Sequence, residues 1–243
     1  MNKKLMELII PIIILVFILG LGIGYSLQKI EKEYVVVNQT YSKVTINLAA
    51  IDNNGNGAII PLIVEAKPGS GKILTDIDKL LFWVDTQYSI QLAKFVAEDV
   101  THVDASKFDL VYTIQGENLS VVGGPSAGAA ITIATIAALE NKTIKPDVMI
   151  TGTINEDETI GEVGAVLEKA EAAKQSGATL FLVPKGEGIE TTLEPQEKCT
   201  ESLGFIYCQT TYKRITTNIG ETVGIRVVEV SNIEEALNYF LNA

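Results

Sequence analysis

The chain has 243 residues, 47% of them hydrophobic, enough for one domain with a substantial core plus appendages. A net charge of -11 and a sequence pI of about 4.6 argue against nucleic acid as a partner, because a phosphate-binding footprint needs clustered Lys and Arg. Two cysteines, Cys199 and Cys208, and one histidine, His102, are too few for a structural zinc site, and no acidic spacing suggests a carboxylate metal site.

From Leu8 to Gln28 no residue is charged, and Ile, Leu, Val and Phe dominate. At about 1.5 Å per residue such a helix reaches roughly 32 Å, enough to cross a hydrocarbon core of about 30 Å. The expectation is a transmembrane helix over 8–28, with a short flank at 1–7 and a linker and first strand over 29–43. Lys3 and Lys4 precede the run, whereas Lys29 and Lys32 after it alternate with Glu31 and Glu33. The basic residues tie, and the free amino terminus tips the orientation toward a cytoplasmic amino end and an extracytoplasmic body. Gly22-Ile23-Gly24 offers a processing-like site, but the run is longer than a usual signal core, so a retained anchor is expected.

Residues 44–243 read as the folded body. The β-branched alternation Val44-Thr45-Ile46-Asn47-Leu48, the turn Asp52 to Gly57 and the run Ala58 to Ala66 predict a hairpin. Gly69-Ser70-Gly71-Lys72 looks like part of a phosphate-binding loop. Ala66 and Ile73 occupy the places where the full pattern needs Gly and Ser or Thr, so a tight turn is expected and no nucleotide. Leu80 to Val100 predicts an amphipathic helix with Leu81, Val84, Tyr88, Leu92, Phe95 and Val96 on the buried face. His102 falls just past its end, where a surface position favoured by the helix dipole is the ordinary reading. Phe108 to Gln115 alternates as a strand.

Gly123-Gly124-Pro125-Ser126-Ala127-Gly128 then breaks a strand-like run and opens a helix through Leu139 that is apolar on nearly every face, hence buried. A serine there has its hydroxyl near the positive helix end, a seat for a nucleophile as well as an ordinary cap. Val148 to Thr153 reads as a central strand, and Asn155 to Glu158 as a solvated turn. Ala165 to Ser176 is a helix ended by Gly177, and Ala178 to Pro184 a strand. Residues from about 186 to 224, rich in Thr, Glu and Gly, break the pattern and read as an insertion. Cys199 and Cys208 within it form a local disulfide if the body is extracytoplasmic, and otherwise remain two thiols. The strand Ile225 to Val230 and the helix Ile233 to Leu241 close an α/β or α+β domain with a mixed sheet and packed helices.

Gly124-Pro125-Ser126-Ala127-Gly128, then Met149-Ile150-Thr151-Gly152, then Gly164-Ala165-Val166-Leu167-Glu168-Lys169, in that order, resemble the proteolytic domain of Lon proteases. The resemblance runs from the hairpin near Val44 through Pro184 and resumes at the last strand and helix. It implies a Ser-Lys dyad with Ser126 as nucleophile and Lys169 as base, and Thr151 in contact with the lysine. The sequence departs from the family at Gly123, where an acid is usual, at Ala165 in the place of a glycine, and at Thr153 in the place of a Glu.

Elementary chemistry agrees with that dyad. A hydroxyl needs a base within reach, and a lysine serves only if burial brings its pKa down toward roughly 7 to 8. Ala165, Ala170, Ala172 and Ala173 around Lys169 are small enough for close packing. The N–H of Ser126 and one from Gly123 or Gly124 would hold the oxyanion. No Walker motif is present. The expectation is therefore a membrane-anchored, ATP-independent serine peptidase acting on polypeptide, without a cofactor, nucleotide or nucleic acid. By the resemblance it is a homo-oligomer of the six-membered kind. The alternative is a catalytically silent domain of the same fold in membrane-tethered assembly.

Overall fold

A computed structural model describes residues 40–76, 81–82, 84–115, 121–122, 124–202 and 205–241, together with Phe17, Tyr34, Val35 and Val37. The chain divides into two units, residues 1–33 and 34–243. The expected transmembrane run lies outside the described residues except for Phe17, which is helical and exposed. Among the described residues no helix is long and apolar enough to cross a membrane.

The body begins with strands β1 (Ser42–Ile51) and β2 (Gly57–Pro68), an antiparallel hairpin. Asp52 closes its turn by accepting the Asn54 and Asn56 N–H groups at 2.8 Å each. The predicted alternation is realised as cross-strand pairs Val44 with Val64, Ile46 with Leu62 and Leu48 with Ile60, all buried. Strand β3 (Ile73–Asp76) follows a turn in which Asp109 accepts the Ser70 and Lys72 N–H groups at 2.8 and 2.9 Å. The amides that could have met a phosphate are thus held by the protein's own carboxylate. After β4 (Leu81–Phe82) comes helix α1 (Val84–Thr101) and then β5 (Phe108–Ile114), which completes a four-stranded sheet in the order β1-β2-β5-β3.

The helix expected over 80–100 starts later, because Leu81 and Phe82 pair as β4 with β6 (Val121–Val122). Its buried face also differs from the expected one. Thr86, Ser89, Ile90, Ala93, Val96 and Ala97 face inward, whereas Val84, Tyr88 and Phe95 are exposed. Small side chains win this face because α1 packs against α2 (Gly128–Leu139), whose every residue is buried, and close approach of two helices favours small contact residues.

A second, parallel sheet is built from β7 (Val148–Ile150), β10 (Leu180–Pro184) and β13 (Arg226–Val230) in the order β13-β10-β7. β7, expected at the centre, is an edge of this sheet, and the fully buried β10 holds the middle. A short antiparallel pair, β8 (Thr153–Ile154) and β9 (Ile160–Gly161), carries the acidic turn at its tip. Helix α3 (Val166–Gln175) packs on β1, β2 and β10. The insertion is one long hairpin of β11 (Ile189–Ser202) and β12 (Phe205–Asn218), paired from end to end and largely exposed, with Cys199 and Cys208 opposite each other and bonded. Two short helices, α4 (Ile219–Val223) and α5 (Ile233–Phe240), flank β13.

The seam between β2 and α3 is tight. A Cβ built on Gly57 would overlap the Glu168 carbonyl and meet the Ala172 Cβ at 2.9 Å. Because the obstacle is helix backbone, Gly57→Ala must push α3 away from the sheet. It is expected to destabilise the domain by about 1–3 kcal/mol, read as a lowered midpoint in urea unfolding; an unchanged midpoint would contradict this packing.

Candidate active site

Ser126 sits in a single 3-10 turn (Pro125–Ala127) two residues ahead of α2. The turn is entered through Gly124, whose φ of 92° suits glycine, with open space where a Cβ would stand. The serine's carbonyl accepts the Gly152 N–H at 2.9 Å, and the Ala129 N–H donates back to the Gly152 carbonyl at 3.0 Å. The Thr151-Gly152 link after β7 therefore clamps the serine turn from the other side. Thr151, only 1% exposed, donates its hydroxyl to the Ser126 carbonyl at 3.4 Å. Thr151 thereby braces the backbone of the Ser126 turn. Gly123, expected to help hold the oxyanion, lies outside the described residues.

Lys169 occupies the first turn of α3, 3% exposed. Its helix is entered through Ala165 in the left-handed conformation, φ 56°, where the family pattern has glycine. Ser126 and Lys169 line one cavity of about 120 Å³, walled by Leu48, Ala49, Ala50 and Ile51 of β1, Ile60 of β2, and Gly124 and Ala127. These two elements, distant in sequence, meet because α3 lies across β1 and β2 while the serine turn lies beside β1. No hydrogen bond joins the pair in this resting arrangement among the described residues.

The apolar wall has an electrostatic consequence. Burial pushes the Lys169 pKa below the ordinary lysine value, since a charged amine loses its hydration there, while Glu187 and Glu168 pull in the opposite direction. Glu187, in the turn after β10, is a residue that sequence reasoning missed. Burial raises its own pKa, partly offset by a hydrogen bond that its Oε1 accepts from the Val163 N–H at 2.8 Å. His102 is exposed just past α1 and lines no part of this cavity. Glu197 clusters with the two cysteines, but their sulfurs are joined to each other, which leaves no thiolate for a metal.

A profile of the Lon protease (S16) C-terminal proteolytic domain matches residues 117–220, a span that holds Ser126, Thr151 and Lys169. The archaeal Lon protease of Methanocaldococcus jannaschii is 31% identical over 192 residues, covering 68% of this chain and 28% of the relative. That of Archaeoglobus fulgidus is 24% identical over 175 residues, 69% of this chain and 27% of the relative, and that of Thermococcus kodakarensis 25% over 174 residues, 69% and 26%. The chain carries a Lon protease proteolytic domain. It spans about a quarter of the length of these Lon relatives, as the shares of 28%, 27% and 26% state. In this Lon domain the mixed α/β architecture brings the serine turn and the lysine helix to one apolar cavity, while Thr151 braces the turn.

The lowered Lys169 pKa also bears on stability. In the window between the lowered native value and the ordinary 10.5, the unfolded chain binds the proton and the folded one does not, so stability rises with pH across that window. Lys169→Met removes a cost that is fully present below the window and gone above it. The variant is expected to melt higher than wild type on the acid side. The gap should close as pH approaches 10.5. Thermal melts across pH test this, and a gap that widens toward high pH would refute the assignment.

Proposed function

We propose that this protein is a membrane-anchored serine endopeptidase that hydrolyses peptide bonds through an acyl-enzyme, with Ser126 as nucleophile and Lys169 as general base. The observation that carries this reading is the shared cavity: a serine on a glycine-flanked turn and a buried lysine with a lowered pKa open onto the same apolar space. Burial keeps a fraction of the amine neutral, and a neutral amine takes the Ser126 proton as the hydroxyl oxygen attacks the substrate carbonyl. The resulting ammonium then gives that proton to the departing amine as the peptide C–N bond breaks. A water, deprotonated by the same amine, cleaves the ester and regenerates the serine. The N–H of Ser126, with one from Gly123 or Gly124, would stabilise the oxyanion in both steps.

The substrate class is polypeptide, as the name of the relatives implies for them. Because these 243 residues contain no Walker motif, hydrolysis by them is proposed to proceed without ATP. Assembly as a homo-oligomer, six-membered by analogy with the family, is part of the same proposal. A fluorophosphonate probe is expected to label the wild type and neither Ser126→Ala nor Lys169→Ala, with peptide hydrolysis reduced at least about 1000-fold in both and unaffected by added ATP. An unlabelled but folded wild type would favour the silent assembly domain instead.

The apolar run over 8–28 supports an anchor, with the catalytic body outside the cytoplasm and the Cys199–Cys208 bond suited to that compartment. The full chain is expected to stay in the membrane fraction after alkaline carbonate extraction, and a chain starting at residue 34 to be released. Release of the full chain would rule the anchor out.

A further inference from the structure

Among the described residues, two buried side-chain oxygens have no hydrogen-bond partner, Glu168 Oε2 and Glu187 Oε2. Both belong to carboxylates whose fields act on the Lys169 amine. A buried acceptor without a donor is costly and is kept only where something repays it. Glu187 is also tied into the site mechanically. It leaves β10 in the turn Lys185–Gly188, and its Oε1 accepts the N–H of Val163, in the segment that leads into the Lys169 helix. One carboxylate thus uses one oxygen to fasten the approach to α3 and leaves the other buried without a donor. Glu187 also lines a cavity of about 220 Å³, together with Val163, Ala165, Gly186, Ile189, Glu190 and Ile219 among others.

We propose that Glu187 is a positioning residue for the Ser126–Lys169 pair, fixing the entry to the lysine helix through its hydrogen bond from Val163 and acting as a counter-charge to the buried amine. The inference rests on the reading of that pair as a dyad. Glu168, on the same helix, adds a second negative charge. The elements packed on α3 contribute Lys43, Glu65, Lys67 and Glu221 as their charged groups, and α3 itself also carries Glu171 and Lys174. Glu162 faces Glu187 and disfavours its charged form, whereas Lys169 favours it. The sign follows directly. Negative charge at Glu187 favours the ammonium, so its removal favours the neutral amine, and the base becomes available at lower pH.

The test is an NMR titration of Lys169 in full-length protein containing 13C-lysine, assigned by loss of its signal in Lys169→Met, together with the pH profile of peptide hydrolysis. Glu187→Gln keeps an oxygen for the Val163 N–H while removing the charge. Its Lys169 midpoint is expected at lower pH than in wild type, and the acid limb of kcat/KM should move the same way, with the high-pH plateau within about twofold. Should Glu187→Gln fail to fold, the reciprocal measurement remains. Lys169→Met should raise the titration midpoint of the Glu187 carboxyl, followed with 13C-glutamate, because the neighbouring positive charge is gone. A Lys169 midpoint unmoved in folded Glu187→Gln, or a Glu187 midpoint unmoved in Lys169→Met, would overturn the inference. The titrations need no activity. A shifted midpoint in a wild type that neither labels nor hydrolyses would sink the peptidase reading alone, and an active enzyme with unmoved midpoints would sink only the role of Glu187.

Discussion

The site depends on one constraint, the burial of the Lys169 amine in a crevice between α3 and the β1–β2 hairpin. A lysine side chain is ordinarily kept in water, and at 3% exposure this one is held out of it. Gly57 lets the β2 strand meet the helix backbone at Glu168, and Ala170 and Ala173 are fully buried beside it. Each of these small residues shortens the distance between helix and sheet. Together they convert an ordinary surface cation into a group whose neutral form is favoured by its surroundings.

The same packing explains how the nucleophile is held. The serine turn packs Ala127 against the main core, and backbone hydrogen bonds to Gly152 fix it from one side and the buried α2 from the other. Thr151 adds its hydroxyl to that clamp.

Electrostatics sets a limit on burial. An amine surrounded only by β1 side chains would lose its proton at the cost of having no charge partner at all. Glu187 and Glu168 act against burial and favour the positive form. The disulfide-closed β11–β12 hairpin begins immediately after this region, so its base shares residues Ile189 and Glu190 with the cavity beside Glu187.

Much of this was legible in the order of residues. The alternation of Val44, Ile46 and Leu48 dictates a strand with one buried face, and the unbroken apolar run after Gly128 dictates a helix buried all round, because each pattern has a single way to hide its hydrophobic atoms. Ser126, Thr151 and Lys169 stood out through local motifs. Other features needed the tertiary structure. The inward face of α1 follows the small residues Ala93 and Ala97 rather than Tyr88 and Phe95, a choice made by the neighbouring helix and invisible in periodicity alone. Two-residue strands such as β8 and β9 carry too short a pattern to read, and whether β7 is central or at an edge depends on which strands come to lie beside it. Glu187 belongs to no motif. The sequence by itself determined which residue types were on offer and where the main elements run, since local spacing encodes those. Only the tertiary structure decided which charges act on the buried amine, because part of the field at Lys169 comes from Glu187 in the turn after a different strand, brought there by packing that no local pattern records.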